Sequence, residues 1–153
     1  MWLLRRLKSL KYEKHIILDY YLKEVRPIAE FGAVVWHSGL TQSQSKDLER
    51  IQKVALKIIL ADSYLSYANA LSVCNLDTLE DRRLVLCTNF AVKLYCSERR
   101  RQFFDQDHCD SRTRSQKRLV KENITRTKRS YLAPHNFLAR LVNLNQKAIE
   151  KRS

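Results

Sequence analysis

Glycine and proline are scarce in this chain of 153 residues, because each occurs only twice. Turn-rich β-proteins use more of both, so the composition favours helices over a sheet. The two glycines, Gly32 and Gly39, also cannot form a glycine-rich phosphate-binding loop of the GxxxxGK(S/T) or GxGxxG type. The composition therefore argues against a nucleotide-binding enzyme built on such a loop.

Long apolar runs are absent as well, since no stretch approaches the roughly 18 to 20 apolar residues that span a bilayer. The first ten residues, MWLLRRLKSL, carry arginines inside the apolar run and so lack the core of a secretory signal. A cytoplasmic or nuclear protein without an integral membrane segment is the expectation. Its cysteines are then expected to be reduced thiols, and they are Cys74, Cys87, Cys96 and Cys109.

Catalytic and metal-binding patterns are missing too. There is no CxxC pair at zinc-site spacing, no GxSxG, no HExxH, and no pair of adjacent aspartates. Two-metal polymerase sites need neighbouring carboxylates, because two hard cations require concentrated oxygen charge. We therefore predict no catalytic residue, no metal site and no cofactor, and we interpret the acidic residues as helix caps and surface groups.

Positive charge is abundant. The chain has 29 Lys and Arg against 16 Asp and Glu, a formal net charge of +13, although 44% of its residues are hydrophobic. That hydrophobic fraction is enough for a packed core, whereas the charge excess repels itself unless a polyanion is nearby. Nucleic acid is the commonest polyanionic partner, and an anionic membrane surface is the alternative.

Apolar residues recur at helical spacing along most of the chain, which predicts an all-α fold, a small helical bundle. Pro27 interrupts one apolar pattern and should move Arg26 out of the helical region, so we expect a kink or break near 25–27. Thr41 and Gln44 have the spacing of a capping box, and Pro134 suits the first turn of a final helix. The predicted segments are a helical body at 1–97, a basic irregular arm at 98–132, and a C-terminal helix and tail at 133–153.

The arm is most basic at 111–130, where eight Lys or Arg face the single acid Glu122. Arginine offers planar forks to phosphate, and the interspersed Ser and Thr hydroxyls can donate to phosphate oxygens. We therefore predict nucleic-acid contacts there, with a purely solubilising tail as the alternative. The cations of this cluster that we assign to binding are Arg112, Arg114, Lys117, Arg118, Arg126, Lys128 and Arg129.

Several stretches carry a family resemblance. They are MWLLRRLKSL, then LKEVRPIAEFGAVVWHSGLT, LERIQKVALKII, and SRTRSQKRLV followed by TRTKRSYLAPHNFLARLVN. In this order they resemble the C-terminal, thumb and post-thumb region of a non-LTR (LINE-type, jockey-like) retrotransposon reverse transcriptase. The resemblance implies a thumb-like helical bundle that grips an RNA or RNA–DNA template–primer duplex.

The same resemblance implies roles for particular residues. It places Arg5, Arg6 and Lys8 of the first helix near the duplex backbone, and it matches Arg112 and Arg114 to the family's basic arm. The family's catalytic Asp-Asp motif is not in this chain, so the resemblance implies binding without polymerase activity. The motif positions to which it gives a structural role are Glu24, Arg26, Pro27 and Trp36.

Two other functions stay open at the level of the sequence. A bundle without its polymerase palm should expose an apolar face, which could serve as a protein-interaction surface or drive self-association. The first helix could instead lie on a membrane surface and bind it through Trp2, Leu3 and Leu4 together with its basic face.

Overall fold

The structure, a computed structural model, confirms the all-α fold. Its described residues form helices and short connections, with no extended strand among them. These residues are 1–104, 119–120, 122 and 127–150.

The α-helices differ widely in length, from a single turn to five turns. In chain order they are α1 (Trp2–Ser9), α2 (Lys14–Tyr20), α3 (Arg26–Glu30), α4 (Ala33–Trp36), α5 (Gln42–Leu60), α6 (Tyr67–Cys74), α7 (Leu79–Cys96), α8 (Glu98–Arg101), α9 (Lys128–Tyr131), α10 (Pro134–Leu144) and α11 (Gln146–Glu150). A π-helical turn, Tyr21–Val25, joins α2 to α3, and 3-10 turns follow α4 at His37–Gly39 and α5 at Ala61–Ser63.

Of the kink or break predicted near 25–27, the break is wrong, because the chain stays helical through Pro27; a π-helical turn that ends at Val25 interrupts the regular α-helix there. Arg26 has φ −62° and ψ −42°, and its N–H bonds to the carbonyl of Tyr21, five residues back. This wider turn relieves the conflict between the proline ring and the preceding turn of helix. The helix ends instead at Glu30, and it is followed by Phe31 at φ −57° and ψ 125° and by Gly32 at φ 65°. Glycine adopts that left-handed conformation without strain.

The predicted capping box at the start of α5 is confirmed. Gln44 N–H donates to Thr41 Oγ1 at 3.3 Å, and Thr41 N–H donates to Gln44 Oε1 at 2.9 Å. Pro134 occupies the first turn of α10, also as predicted. Both predictions depend only on residues close together in the sequence, so they did not require knowledge of how the helices pack.

The chain divides into two compact units. Unit 1 comprises 1–32 and 40–83, and unit 2 comprises 33–39 and 84–153. This division does not follow the predicted segment boundaries at 97 and 132. The reason lies in α7, whose Cys87 and Ala91 belong to the same buried cluster as Leu138 of α10. The change of composition after residue 97 therefore does not coincide with an edge of a core.

Each unit has its own core. In unit 1, α1, α2, α5 and α6 bury the apolar faces that the spacing predicts, and in unit 2 the second part of α7 packs with α10. The core of unit 1 is Leu4, Ile17, Tyr21, Ala55, Leu56, Ile59, Leu60 and Ala70. The core of unit 2 is Cys87, Ala91, Leu94, Phe104, Val120, Leu138, Ala139, Leu141, Val142 and Ile149.

Candidate nucleic-acid interface

Helix α1 presents the first group of predicted binding residues. Leu4 is fully buried against the core of unit 1, and this fixes the helix with Arg5 and Arg6 exposed and Lys8 half-buried. In the described part of the chain, none of these three cations forms an ion pair. They are therefore available to an external anion. The buried Leu4 is at the same time unavailable to a membrane, although Trp2 is 71% exposed.

Helix α9, in unit 2, presents the second group. Thr127 caps it by accepting the N–H of Ser130 at 3.2 Å, and Lys128 and Arg129 are exposed within it. The structure thus brings Lys128 and Arg129 together in unit 2, as it brings Arg5, Arg6 and Lys8 together in unit 1. The other predicted binding residues lie outside the described part of the chain, and they are Arg112, Arg114, Lys117, Arg118 and Arg126.

Asn143 of α10 holds a segment within the predicted basic arm. Its Oδ1 accepts the N–H groups of Leu119 at 3.1 Å and Val120 at 3.0 Å. Its Nδ2 donates to the carbonyl of Val120 at 3.0 Å and to Glu122 Oε1 at 2.9 Å. One side-chain amide therefore binds this segment much as a neighbouring strand would. A lone asparagine in a helical pattern carries no signal of such a role.

Three further side chains bind the backbone at the end of the predicted arm, residues 130–132. Asn136, which is buried, donates to the carbonyl of Ser130 at 2.7 Å, and Ser38 Oγ donates to the carbonyl of Leu132 at 2.6 Å. Arg140 donates to the carbonyl of Tyr131 at 2.9 Å and places its guanidinium 3.8 Å from the centre of that ring. The Tyr131 ring is therefore held by Arg140 on one face, although half of the side chain is exposed.

A third group of cations lies on α5, and none of its members is among the predicted binding residues. Lys46, Arg50, Lys53 and Lys57 are all exposed and occupy positions i, i+4, i+7 and i+11. Successive residues of a helix are about 100° apart, so these four lie within an arc of about 60°. The signal that would have found them is helical periodicity applied to charge.

Two of these lysines lie over tyrosine rings. Lys53 Nζ is 5.0 Å from the centre of the Tyr67 ring, and Lys57 Nζ is 5.5 Å from that of Tyr64. Such cation–π contacts orient an ammonium group without neutralising its charge. As with α1, none of the four α5 cations forms an ion pair within the described residues.

A buried polar network lies behind α5 in unit 1. Tyr21 OH donates to Gln52 Oε1 at 2.9 Å, and Gln52 Nε2 donates to Tyr67 OH at 3.2 Å and to the carbonyl of Asp77 at 2.8 Å. Tyr67 OH in turn donates to Glu49 Oε1, which also accepts the N–H of Leu79 at 3.2 Å. Glu49 thereby places negative charge at the start of α7, where the helix dipole favours it.

The two tyrosines of this network are structural donors. Burial raises the pKa of Tyr21 well above its ordinary value of 10.0. Burial, followed by the hydrogen bond to Glu49, raises the pKa of Tyr67 in the same direction. Both hydroxyls therefore keep their protons at neutral pH and serve as hydrogen-bond donors rather than as bases.

Other cations of unit 1 are engaged internally. Glu30 lies 3.4 Å from Nε of both Arg26 and Arg82, and its side chain is only 11% exposed. Arg83 is fully buried and donates to Ser45 Oγ at 3.2 Å. Arg82 and Arg83 join helices, whereas the pair of Arg26 and Glu30 lies within α3. The structural role that the resemblance implied for Arg26 stays a prediction.

The surface of unit 1 also carries an open apolar groove, with a volume of about 560 Å³. Its walls come from the start of the chain, the π-helical turn with α3, and one side of α5. Asp47 and Arg50 supply its charged groups, and Ile28 is 79% exposed. The lining residues are Met1, Val25, Ile28, Ala29, Asp47, Leu48, Arg50, Ile51 and Val54.

Metal binding and membrane insertion find no support in the part of the chain that the structure describes. No three His, Cys, Asp or Glu side chains there are grouped so that they could hold a metal ion. Nor does any described helix combine the length and apolar character that crossing a bilayer requires.

No family model, curated protein or solved structure matches the chain. The likeness to LINE-type reverse transcriptases therefore rests on the sequence motifs alone. Function has to be argued from the charges and contacts described above.

Proposed function

We propose that this chain binds nucleic acid through phosphate contacts and has no catalytic activity of its own. The observation that carries the proposal is the charge balance. With 29 basic and 16 acidic side chains, pairing every acid with one cation would still leave thirteen cations without an acidic partner. Such an excess on a small chain indicates a polyanionic partner, because it would otherwise oppose the compact state.

The exposed cations of α1 support this proposal. A helix anchored by a fully buried leucine holds Arg5 and Arg6 at the surface in fixed positions. Arginine binds phosphate through a planar fork, and contacts to phosphate position a protein without reading sequence. In unit 2, Arg129 of α9 offers the same planar fork, and the neighbouring Lys128 adds an exposed ammonium group.

The motif resemblance indicates which nucleic acid the partner is. We propose that the chain is a non-catalytic C-terminal fragment of a retrotransposon RNA-directed DNA polymerase, and that its partner is element RNA or an RNA–DNA template–primer duplex. A thumb holds the duplex behind an active site that lies elsewhere. This agrees with the missing Asp-Asp pair.

The test is a titration of a fluorescent RNA–DNA duplex and of single-stranded RNA at several salt concentrations. Each phosphate contact with a duplex contributes about 0.9 to the slope of log affinity against log salt, so we expect a slope of several units. Tighter binding of the duplex than of the single strand would support a thumb. Failure to bind either nucleic acid at low salt would contradict the proposal.

Substitutions measure how much the predicted cations of the basic arm contribute to binding. Replacing Arg112, Arg114, Lys117 and Arg118 with Ala should lower the slope by about three to four units and weaken binding equally for different base sequences. Lys23→Gln is the control, because Lys23 Nζ already pairs with Asp19 at 2.7 Å. A loss that depends on base sequence would contradict backbone contact.

The apolar groove of unit 1 supports a second candidate function, self-association with another copy of this chain. Ile28→Glu would place a charge in the groove, and Val73→Glu would place one on an exposed position of α6 outside it. Light scattering over a concentration series should show oligomers that Ile28→Glu disrupts and Val73→Glu does not. A wild-type chain that stays monomeric at high concentration would exclude this candidate.

A further inference from the structure

We propose that the outer face of α5 is an additional phosphate-binding surface, formed by Lys46, Arg50, Lys53 and Lys57, that lies along the backbone of a bound nucleic acid. The inference rests on the proposed function in one respect, since it assumes the same partner. It assigns binding to residues that lie outside the basic arm and to which the motif resemblance gave no role.

The length and orientation of α5 are the first support for this binding surface. The helix runs for 19 residues from its capping box, and the side opposite the cations is buried, including Ala55, Leu56 and Ile59. From Lys46 to Lys57 the helix rises by roughly 16 Å at 1.5 Å per residue. A nucleic-acid strand with one phosphate per about 3.4 Å presents about five phosphates over that length. Four cations in a straight row therefore match one strand.

The two acidic residues of α5 lie beside the row of cations rather than within it. Asp47 and Glu49 are the acidic residues of α5. Glu49 turns towards Tyr67 and the N–H of Leu79, and Asp47 lines the apolar groove. A solvent-exposed helix face more often alternates charges of both signs, which stabilise each other at i, i+4. Within the described residues none of the four cations forms such a pair, so their charge is left for a partner, which favours a binding role.

The tyrosines beneath the lysines make this surface more ordered than a row of surface lysines usually is. The Tyr67 hydroxyl is fixed by Glu49 and Gln52, so the ring under Lys53 has a defined position. Lysine side chains that are already oriented lose less conformational freedom on binding. Because Lys53 and Lys57 each cover a face of a ring, the rings support the lysines rather than stack on bases. The expected binding therefore shows no preference for base sequence.

The experiment compares two variants that lose the same charge. The test variant carries Lys46→Gln, Lys53→Gln and Lys57→Gln, and it leaves Arg50 in place because Arg50 also lines the groove. The control variant carries Lys23→Gln, Lys93→Gln and Lys147→Gln, three exposed lysines on other elements. Both are titrated with the RNA–DNA duplex across salt concentrations, and circular dichroism checks that both keep the helical content of the wild type.

We expect the slope of log affinity against log salt to fall by about two to three units in the test variant and by less than one in the control. Replacing the same three lysines with Arg should preserve the wild-type slope, because charge and not lysine as such is required. This Arg variant also tests whether substitution at these three positions disturbs folding, because it changes the same residues but keeps their charge.

The outcomes separate the inference from the proposed function. If the wild type binds the duplex and the test and control variants have equal slopes, the α5 surface is wrong and the proposed function stands. If the wild type does not bind nucleic acid at low salt, both are wrong. If it binds anionic phosphatidylserine vesicles but neither duplex nor single strand, the partner is a membrane surface and the inference is overturned as well.

Discussion

Unit 1 and unit 2 use their polar side chains in different ways. In unit 1, Tyr21, Gln52, Tyr67 and Glu49 bond mainly to one another, and so join helices that are already complete. In unit 2, the side chains of Asn143, Asn136 and Ser38 bond mainly to main-chain groups. The first arrangement connects regular elements, whereas the second supplies partners to backbone that lies outside the longer helices.

This difference predicts how the stability of each unit would change if one of these polar side chains were removed. Every buried backbone or side-chain polar group needs a partner, and loss of that partner costs about 1–3 kcal/mol. In unit 1 the loss would fall on packed helices and weaken the unit as a whole. In unit 2 it would fall on one segment and release it locally.

The largest effect is expected from Gln52→Leu. The substitution keeps the volume of a fully buried side chain but removes the partners of Tyr21 OH and of the Asp77 carbonyl. We expect a loss of about 3 kcal/mol in the free energy of unfolding of unit 1, measured by urea denaturation. Gln42→Leu, at the exposed first position of α5, is the control and should change stability by less than about 0.5 kcal/mol. If Gln52→Leu and Gln42→Leu changed the stability equally, the buried network would not stabilise unit 1 as a whole, and the proposed difference between the units would be wrong.

The next effect is expected from Asn143→Ala in unit 2. It removes four hydrogen bonds to Leu119, Val120 and Glu122. Hydrogen exchange at Leu119 and Val120 should accelerate at least tenfold, while exchange in α7 changes little. The free energy of unfolding should fall by about 2 kcal/mol at most. Asn89→Ala, an exposed position of α7, is the matched control. Faster exchange throughout unit 2 would show that Asn143 stabilises the whole unit.

The smallest effect at neutral pH is expected from Tyr21→Phe, about 1 kcal/mol from one buried hydrogen bond. The clearer consequence of the substitution is for the pH dependence of the free energy of unfolding. The folded-state pKa of Tyr21 and of Tyr67 is raised above 10.0, so their contribution to stability is complete below pH 10 and is lost as the pH rises above it.

Alkaline unfolding tests this point. The wild type should lose stability above pH 10 more steeply than a variant carrying Tyr21→Phe and Tyr67→Phe, with tyrosinate absorbance and circular dichroism recorded together. Tyr12→Phe is the control, since Tyr12 is 48% exposed. If the double variant and the wild type respond to pH alike, the network does not couple tyrosine ionisation to folding.

The sequence by itself determined the features that depend on near neighbours. Helical periodicity predicted the all-α fold, the Thr41–Gln44 spacing predicted a capping box, and Pro134 marked the start of α10. Each of these signals is read within four residues along the chain, so packing does not alter it. Of the binding residues, the sequence determined only that cations are in excess.

The tertiary structure decided which of those residues face outward and which are bound inside. It paired Arg82 with Glu30, 52 residues away along the chain. It also turned the Glu49 carboxylate towards Tyr67 and the N–H of Leu79 rather than towards the cations of α5. Such outcomes depend on contacts between residues far apart in the chain. A linear pattern of residues does not contain them, because they form only once the helices pack.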